Sequence, residues 1–182
     1  MLFRSEELCA VPSVSLDETA MADTIEARLR ATAGALTIDR VGDNVVARTM
    51  TGAARRILLG GHLDTVPANG NAEPRIEGDT LHGLGSADMK GGLVVMLHLA
   101  AVATERVPRH DVSFVFYEAE EVAEEHNGLR RLFADRPDLV EADLAVLLEP
   151  TGGWLEAGCQ GSITVRADFA GGRAQDRKST RL

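Results

Sequence analysis

A chain of 182 residues with 45% hydrophobic, 26% charged and 4% aromatic side chains has the make-up of one globular domain, or one plus part of another. Its 28 acidic against 19 basic side chains leave a formal charge of -9, which excludes a broad phosphate-binding surface and so nucleic acid as a partner. No apolar run reaches about 18 residues, so no membrane partner is expected, and two cysteines without a signal-like N-terminus point to a reducing, cytoplasmic setting.

Residues 17–33 place Met21, Ile25 and Leu29 on one helical face, and Ser15 with Glu18 has the S-x-x-E form of a capping box at its start. Residues 35–41 and 44–50 read as two strands joined across Gly42 and Asp43, a hairpin. Ile57, Leu58 and Leu59 form a short continuous apolar run, the mark of a strand buried on both faces. A loop rich in Gly, Pro and Asn covers 67–85, and a helix follows over 88–104. Residues 112–117 are a second buried strand, 126–134 a short helix and 144–148 a third buried strand. Residues 163–169 alternate apolar and polar side chains, as a half-exposed strand does, so a domain change is expected near 161–164. Strands alternating with helices predict an α/β three-layer sandwich, with a mostly parallel sheet and helices on both faces.

The residues that follow the buried strands carry the chemical signal. His62 and Asp64 follow the first, Glu118, Glu120 and Glu121 the second, and Glu149 the third. Open α/β sheets bind ligands beyond the carboxyl ends of their strands. Asp88, where a loop enters a helix, is a further candidate. Converging carboxylates repel one another, and divalent cations relieve that repulsion; mixed His and carboxylate ligation suits zinc, cobalt or manganese.

Each residue also has a plain structural reading. His62 could be a satisfied strand-end histidine, and Asp64, two residues on, could point the same way and fix its tautomer. Asp88 could cap a helix, Glu120 and Glu121 could belong to a solvated acidic run from 118 to 125, and Glu149 could be an exposed strand end. Alternatively the adjacent pair Glu120 and Glu121 divides labour, one ligating metal and one acting as base. The GLGSAD run lacks the third glycine of a dinucleotide fingerprint, and H-E-x-x-H, G-x-S-x-G and C-x-x-C are absent. His98, on an apolar helix, reads as structural; His110 and His126 lie at element edges, and His82 has no assigned role.

GGHLDTVP at 60–67, GLGSADMKGG at 83–92, YEAEE at 117–121 and LLEPTGG at 147–153 together resemble the di-zinc amidohydrolases that include aminoacylase, carboxypeptidase G and acetylornithine deacetylase. Within that family, EPTGGWLEAGCQGSITV is most similar to the actinobacterial desuccinylases, which release succinate from N-succinyl-LL-2,6-diaminopimelate in lysine biosynthesis. The resemblance implies two divalent ions, zinc first and cobalt second. His62 would bind one ion, Asp88 bridge both, Glu121 bind the second and Glu149 complete the first. Glu120 would be the general base and Asp64 would orient His62. The peptide bond after the bridging aspartate, Asp88–Met89, would be cis. The implied substrate is a small N-acyl amino acid, and the family's dimer is built by a lid domain.

Against that family, residues 1–164 correspond to the N-terminal part of the catalytic domain and 165–174 to the first strand of the lid. Residues 175–182 form a basic tail unlike it, with Gln175 where a histidine is expected. The expectation is a catalytic domain truncated before its lid is complete, inactive or weakly active alone. The alternatives are an acetylornithine deacetylase or dipeptidase of the same family, and a non-catalytic fragment or gene-model artefact.

Overall fold

The computed structural model describes residues 4–158. The strand expected at 163–169, the domain change near 161–164, the segment 165–174 and the tail 175–182 lie outside the described residues. In chain order the elements are α1 (Ser5–Cys9), α2 (Thr19–Thr32), β1 (Thr37–Val41), β2 (Asn44–Arg48), β3 (Arg56–His62), β4 (Arg75–Glu77), β5 (Thr80–His82), α3 (Lys90–Glu105), β6 (Asp111–Tyr117), α4 (Gly128–Asp135), α5 (Pro137–Val140) and β7 (Leu144–Leu147). A single 3-10 turn, Glu124–His126, precedes α4. None of these helices is long and apolar enough to cross a membrane.

Five strands form one sheet in the order β1-β2-β6-β3-β7. The sheet is mixed: β6, β3 and β7 run parallel, while the β1–β2 hairpin joins antiparallel at β6. A tight turn across Gly42 and Asp43 reverses the chain, whereas parallel neighbours need a crossover, supplied between β3 and β6 by α3. The parallel half therefore sends three carboxyl ends to one edge.

Side-chain alternation along the strands divides the core in two. Val45, Ala47, Phe114 and Phe116 face α1, α2 and α3, where Leu8, Ile25, Leu29, Leu93, Met96 and Leu97 are fully buried. Val46, Val115 and Tyr117 face the other way, against Leu132 of α4 and Leu139 and Val140 of α5. Helices thus cover both faces, as the strand–helix alternation predicts. Helix α3 lies close over β3 because Gly61 has no side chain: a Cβ there would meet Met89 Cε at 2.6 Å and Leu93 Cδ2 at 2.9 Å.

Several local expectations change. The capping box does not form: α2 begins after Glu18 with no side-chain cap, and Ser15 and Glu18 bond elsewhere. Asp88 does not cap α3 either, because Met89 holds that position. The loop over 67–85 contains the small hairpin β4–β5, whose strands are only three residues each and leave little periodicity to read. The apolar run at 144–148 is not a doubly buried strand among the described residues: Leu144 and Leu147 are 56% and 46% exposed, since β7 pairs with β3 along one edge. Apolar composition alone does not say whether anything covers it. His98 is exposed on α3 rather than packed in the core.

Candidate metal centre

The register of the parallel strands sets the site. His62, the last residue of β3, is level with Tyr117 of β6, and Gly60 is level with Leu147 of β7. Two residues beyond Leu147, Glu149 follows the strand end and brings a carboxylate oxygen within 4.8 Å of His62. Gly92 of α3 makes room there, because a Cβ would lie 2.6 Å from the Leu148 carbonyl oxygen. Asp88 enters from the start of α3, across a cis Asp88–Met89 peptide bond.

His62 is 1% exposed. Its Nδ1 lies 3.0 Å from the Asp64 carbonyl oxygen and 3.3 Å from Asp64 Oδ1, and its Nε2 lies 3.0 Å from Asp88 Oδ1. Burial pulls the imidazole pKa down, but hydrogen bonds to Asp64 and Asp88 and the charges of Asp64 and Glu149 outweigh it, raising it to about 9. Asp64 is equally buried. Burial alone would raise its carboxyl, yet His62, two backbone amides and Ser15 hold it at about 2.

The loop that follows β6 is held by side chains from elsewhere in the chain. The Glu118 amide donates to Asn44 Oδ1 at 3.1 Å and the Ala119 amide to Glu18 Oε1 at 3.0 Å. The Glu120 amide donates to Asp64 Oδ1 at 2.9 Å and the Glu121 amide to Asp64 Oδ2 at 3.0 Å. Ser15 Oγ also donates to Asp64 Oδ2, at 2.7 Å. Asp64 therefore connects the imidazole to the two acidic residues opposite it. The acidic run divides: Glu118 is buried against Asn44 and Arg131, Glu120 and Glu121 reach the site, and Glu124 and Glu125 are solvated.

Ligand-type atoms of His62, Asp88 and Glu149 lie within 4.8 Å of one another, and so do those of His62, Glu120 and Glu121. Five of the residues singled out in the sequence, His62, Asp88, Glu120, Glu121 and Glu149, thus meet at one edge, with His62 common to both groups. Asp64 is turned inward, to the imidazole and the loop amides. Glu121 clusters with His62 and Glu120, whereas the family resemblance pairs it with Asp88.

The electrostatics match the donor types. Burial pushes the Glu121 carboxyl up, and the Asp88 charge adds to it. Burial also raises Glu149, with His62 opposing and Asp88, Glu120 and Glu121 adding. Burial raises the Tyr117 phenol, with the charges of Glu149, Glu120, Asp64 and Asp88 adding, and its ring meets the imidazole edge-on at 6.3 Å. Carboxylates that raise one another's proton affinity mark a site short of positive charge, which divalent cations supply. One imidazole and several carboxylates fit zinc-type ions.

Sequence reasoning missed Ser15, Glu18 and Asn44 as parts of this site. The signal present, S-x-x-E before a helix, has a common local meaning that the fold does not use.

The model of peptidase family M20/M25/M40 matches residues 58–168. A putative succinyl-diaminopimelate desuccinylase of Mycobacterium tuberculosis is 49% identical over 172 residues, covering 94% of this chain and 48% of that protein. The succinyl-diaminopimelate desuccinylase of Corynebacterium glutamicum is 43% identical over 177 residues, covering 96% and 48%. Among solved structures, a Staphylococcus aureus tripeptidase superposes with a TM-score of 0.64 at 24% identity, over 80% of this chain and 41% of that one; it shares the fold. The chain spans about half the length of the curated relatives it matches.

Proposed function

Since the chain belongs to peptidase family M20/M25/M40, we propose that it carries part of the active site of a metal-dependent amide hydrolase. The substrate we infer is N-succinyl-LL-diaminopimelate, cleaved to succinate and LL-diaminopimelate. The observation that carries the reading is the meeting of His62, Asp88 and Glu149 within 4.8 Å, beside Glu120 and Glu121. The acyl group is inferred from the two relatives at 49% and 43% identity.

In this reading His62, Asp88 and Glu149 hold one ion, and Asp88 and Glu121 contribute to a second, zinc before cobalt. Divalent ions there would lower the pKa of an attached water toward ~7 and draw charge from the amide carbonyl. Asp64 keeps the His62 ring oriented, with Nδ1–H turned inward and Nε2 toward Asp88. Glu120 is exposed, with its amide fixed on Asp64. Its carboxylate takes the proton of the attacking water and returns it to the nitrogen as the C–N bond breaks. The reducing, cytoplasmic setting belongs to the same proposal.

The test is a chimera in which residues 4–158 replace the matching segment of the Corynebacterium glutamicum relative, assayed with zinc on succinyl-diaminopimelate and N-acetylornithine. Succinate release well above acetate release is expected. A folded, zinc-binding chimera that releases no succinate refutes the proposal; one that prefers the acetyl substrate moves the chain to the deacetylase reading. The 182-residue chain alone is expected to be weak or inactive, and turnover at ordinary rates would refute that.

A further inference from the structure

Glu18 is 2% exposed, and one of its oxygens has an unusual pair of partners. Oε1 accepts from the amides of Leu16 and Ala119, each at 3.0 Å. Among the described residues, Leu16 and Ala119 are also the two non-glycine residues with positive φ, 72° and 57°. Left-handed backbone is unfavourable for residues with a Cβ and persists where the surroundings over-determine it. Here one buried carboxylate oxygen anchors both bends.

The two bends belong to facing segments. Residues 13–18 lie behind the site, tied to the strand end by Ser15 N–H to the Thr65 carbonyl at 3.1 Å, by Thr65 N–H to the Ser13 carbonyl at 2.8 Å, and by Ser15 Oγ to Asp64. Residues 118–121 follow β6 and carry Glu120 and Glu121. Their four amides each donate to a side chain from another part of the chain. Asn44 and Asp64 hold the ends of that stretch; Glu18 holds its bend.

We propose that Glu18 is a positioning residue, whose Oε1 fixes the bend at Ala119 and so sets Glu120 and Glu121 opposite His62. The inference rests on the reading that Glu120 and Glu121 serve the metal centre. It also assigns a role to the S-x-x-E pattern: Ser15 holds Asp64, and Glu18 holds the loop that Asp64 meets. Because both bonds end on one oxygen, a glutamine carbonyl can replace the carboxylate, whereas an apolar side chain cannot.

The experiment compares the 182-residue chain with Glu18→Gln and Glu18→Ala. Amide hydrogen exchange reads Ala119, Glu120 and Glu121, zinc calorimetry reads affinity, and the visible spectrum of bound cobalt reads ligand geometry. Glu18→Ala is expected to lose protection at Ala119, weaken zinc binding at least tenfold and change the cobalt spectrum. Glu18→Gln is expected to restore all three, which a role confined to general stability does not require. Wild-type protection, affinity and spectrum in Glu18→Ala overturn the proposal, as does a Glu18→Gln variant as defective as Glu18→Ala. If Glu18→Ala does not fold, Glu18→Gln decides alone: retained Ala119 protection and zinc affinity support the proposal, and loss of either overturns it. A wild-type chain that binds neither zinc nor cobalt fails the metal reading, and exchange at Ala119 then still decides whether Glu18 holds the loop.

Discussion

Asp64→Asn removes one charge and one acceptor from the most connected side chain of the site. In the native protein Oδ1 accepts from the Glu120 amide and faces His62 Nδ1, while Oδ2 accepts from the Glu121 amide and Ser15. The asparagine amide keeps one acceptor oxygen. Whichever way it flips, its NH2 confronts a backbone N–H that it cannot satisfy. The Ser15 hydroxyl can turn to accept, but the Glu120 or Glu121 amide cannot. One charged hydrogen bond is worth about 1.5–3 kcal/mol, and an orphaned buried N–H adds about 1–3. A loss of about 3 kcal/mol is therefore expected, or roughly 6–12 °C in melting temperature at this chain length. Zinc affinity should fall about tenfold as the imidazole loses the carboxylate charge behind it, while the Asp64 backbone carbonyl still faces Nδ1. Differential scanning calorimetry and zinc titration measure the two effects on one sample. A variant that melts within a degree of wild type and holds zinc equally well refutes the reasoning. One that melts early but binds zinc normally confines Asp64 to folding.

Glu120→Gln keeps the amide that bonds Asp64 but cannot carry a proton; zinc binding should persist while turnover of the chimera falls by about 10²-fold or more, and near-normal turnover removes Glu120 from its role. Gly92→Ala drives a methyl to 2.6 Å from a backbone carbonyl and to 2.9 Å from Met89 Cε. We expect about 1–3 kcal/mol of destabilisation and weaker zinc binding, because Leu148 precedes Glu149; an unchanged denaturation midpoint and affinity would contradict the close packing. Asp111 is far from the site, at the start of β6. Burial pushes its carboxyl up, but the Thr51 amide, the Thr49 and Thr51 hydroxyls and Arg56 prevail and hold it at about 2, below the ordinary 3.8. Its stabilisation is complete above pH 3.8 and is lost as pH falls through 2. About 2 kcal/mol should separate the acid-unfolding profiles of wild type and Asp111→Asn in that window. Parallel urea midpoints of the two proteins between pH 4 and 2 would show that Asp111 contributes nothing there.

Much of the site was legible because its parts are local. A strand end followed by a metal-ligand residue occupies three to six consecutive positions, and it recurs at Leu59–His62, Phe116–Glu121 and Leu147–Glu149. The helical spacing of Met21, Ile25 and Leu29 likewise yields α2, with all three side chains buried. The local signals that failed did so against distant competitors. Ser15 and Glu18 have the order of a capping box, but Ser15 bonds Asp64, 49 residues away, and Glu18 bonds the preceding Leu16 amide and Ala119, 101 residues away. Asp88 precedes a helix and looks like its cap, yet its carboxylate lies against His62. The run at 144–148 has the composition of a buried strand, but burial depends on neighbours that composition does not specify.

By itself the sequence determined the alternation of strands and helices, the placement of ligand-type residues after the parallel strands, and the order of the motifs that resemble the family. These follow from periodicity and chain direction, which adjacent residues set between them. Only the tertiary structure decided that Glu149 meets His62, that His62 is shared by two donor groups, and that Asp64 turns inward to hold the loop carrying Glu120 and Glu121. It alone brought Ser15, Glu18 and Asn44 behind that loop. Strand register and the capture of an amide by a side chain depend on how distant segments pack, and nothing in the spacing of neighbouring residues encodes those distances.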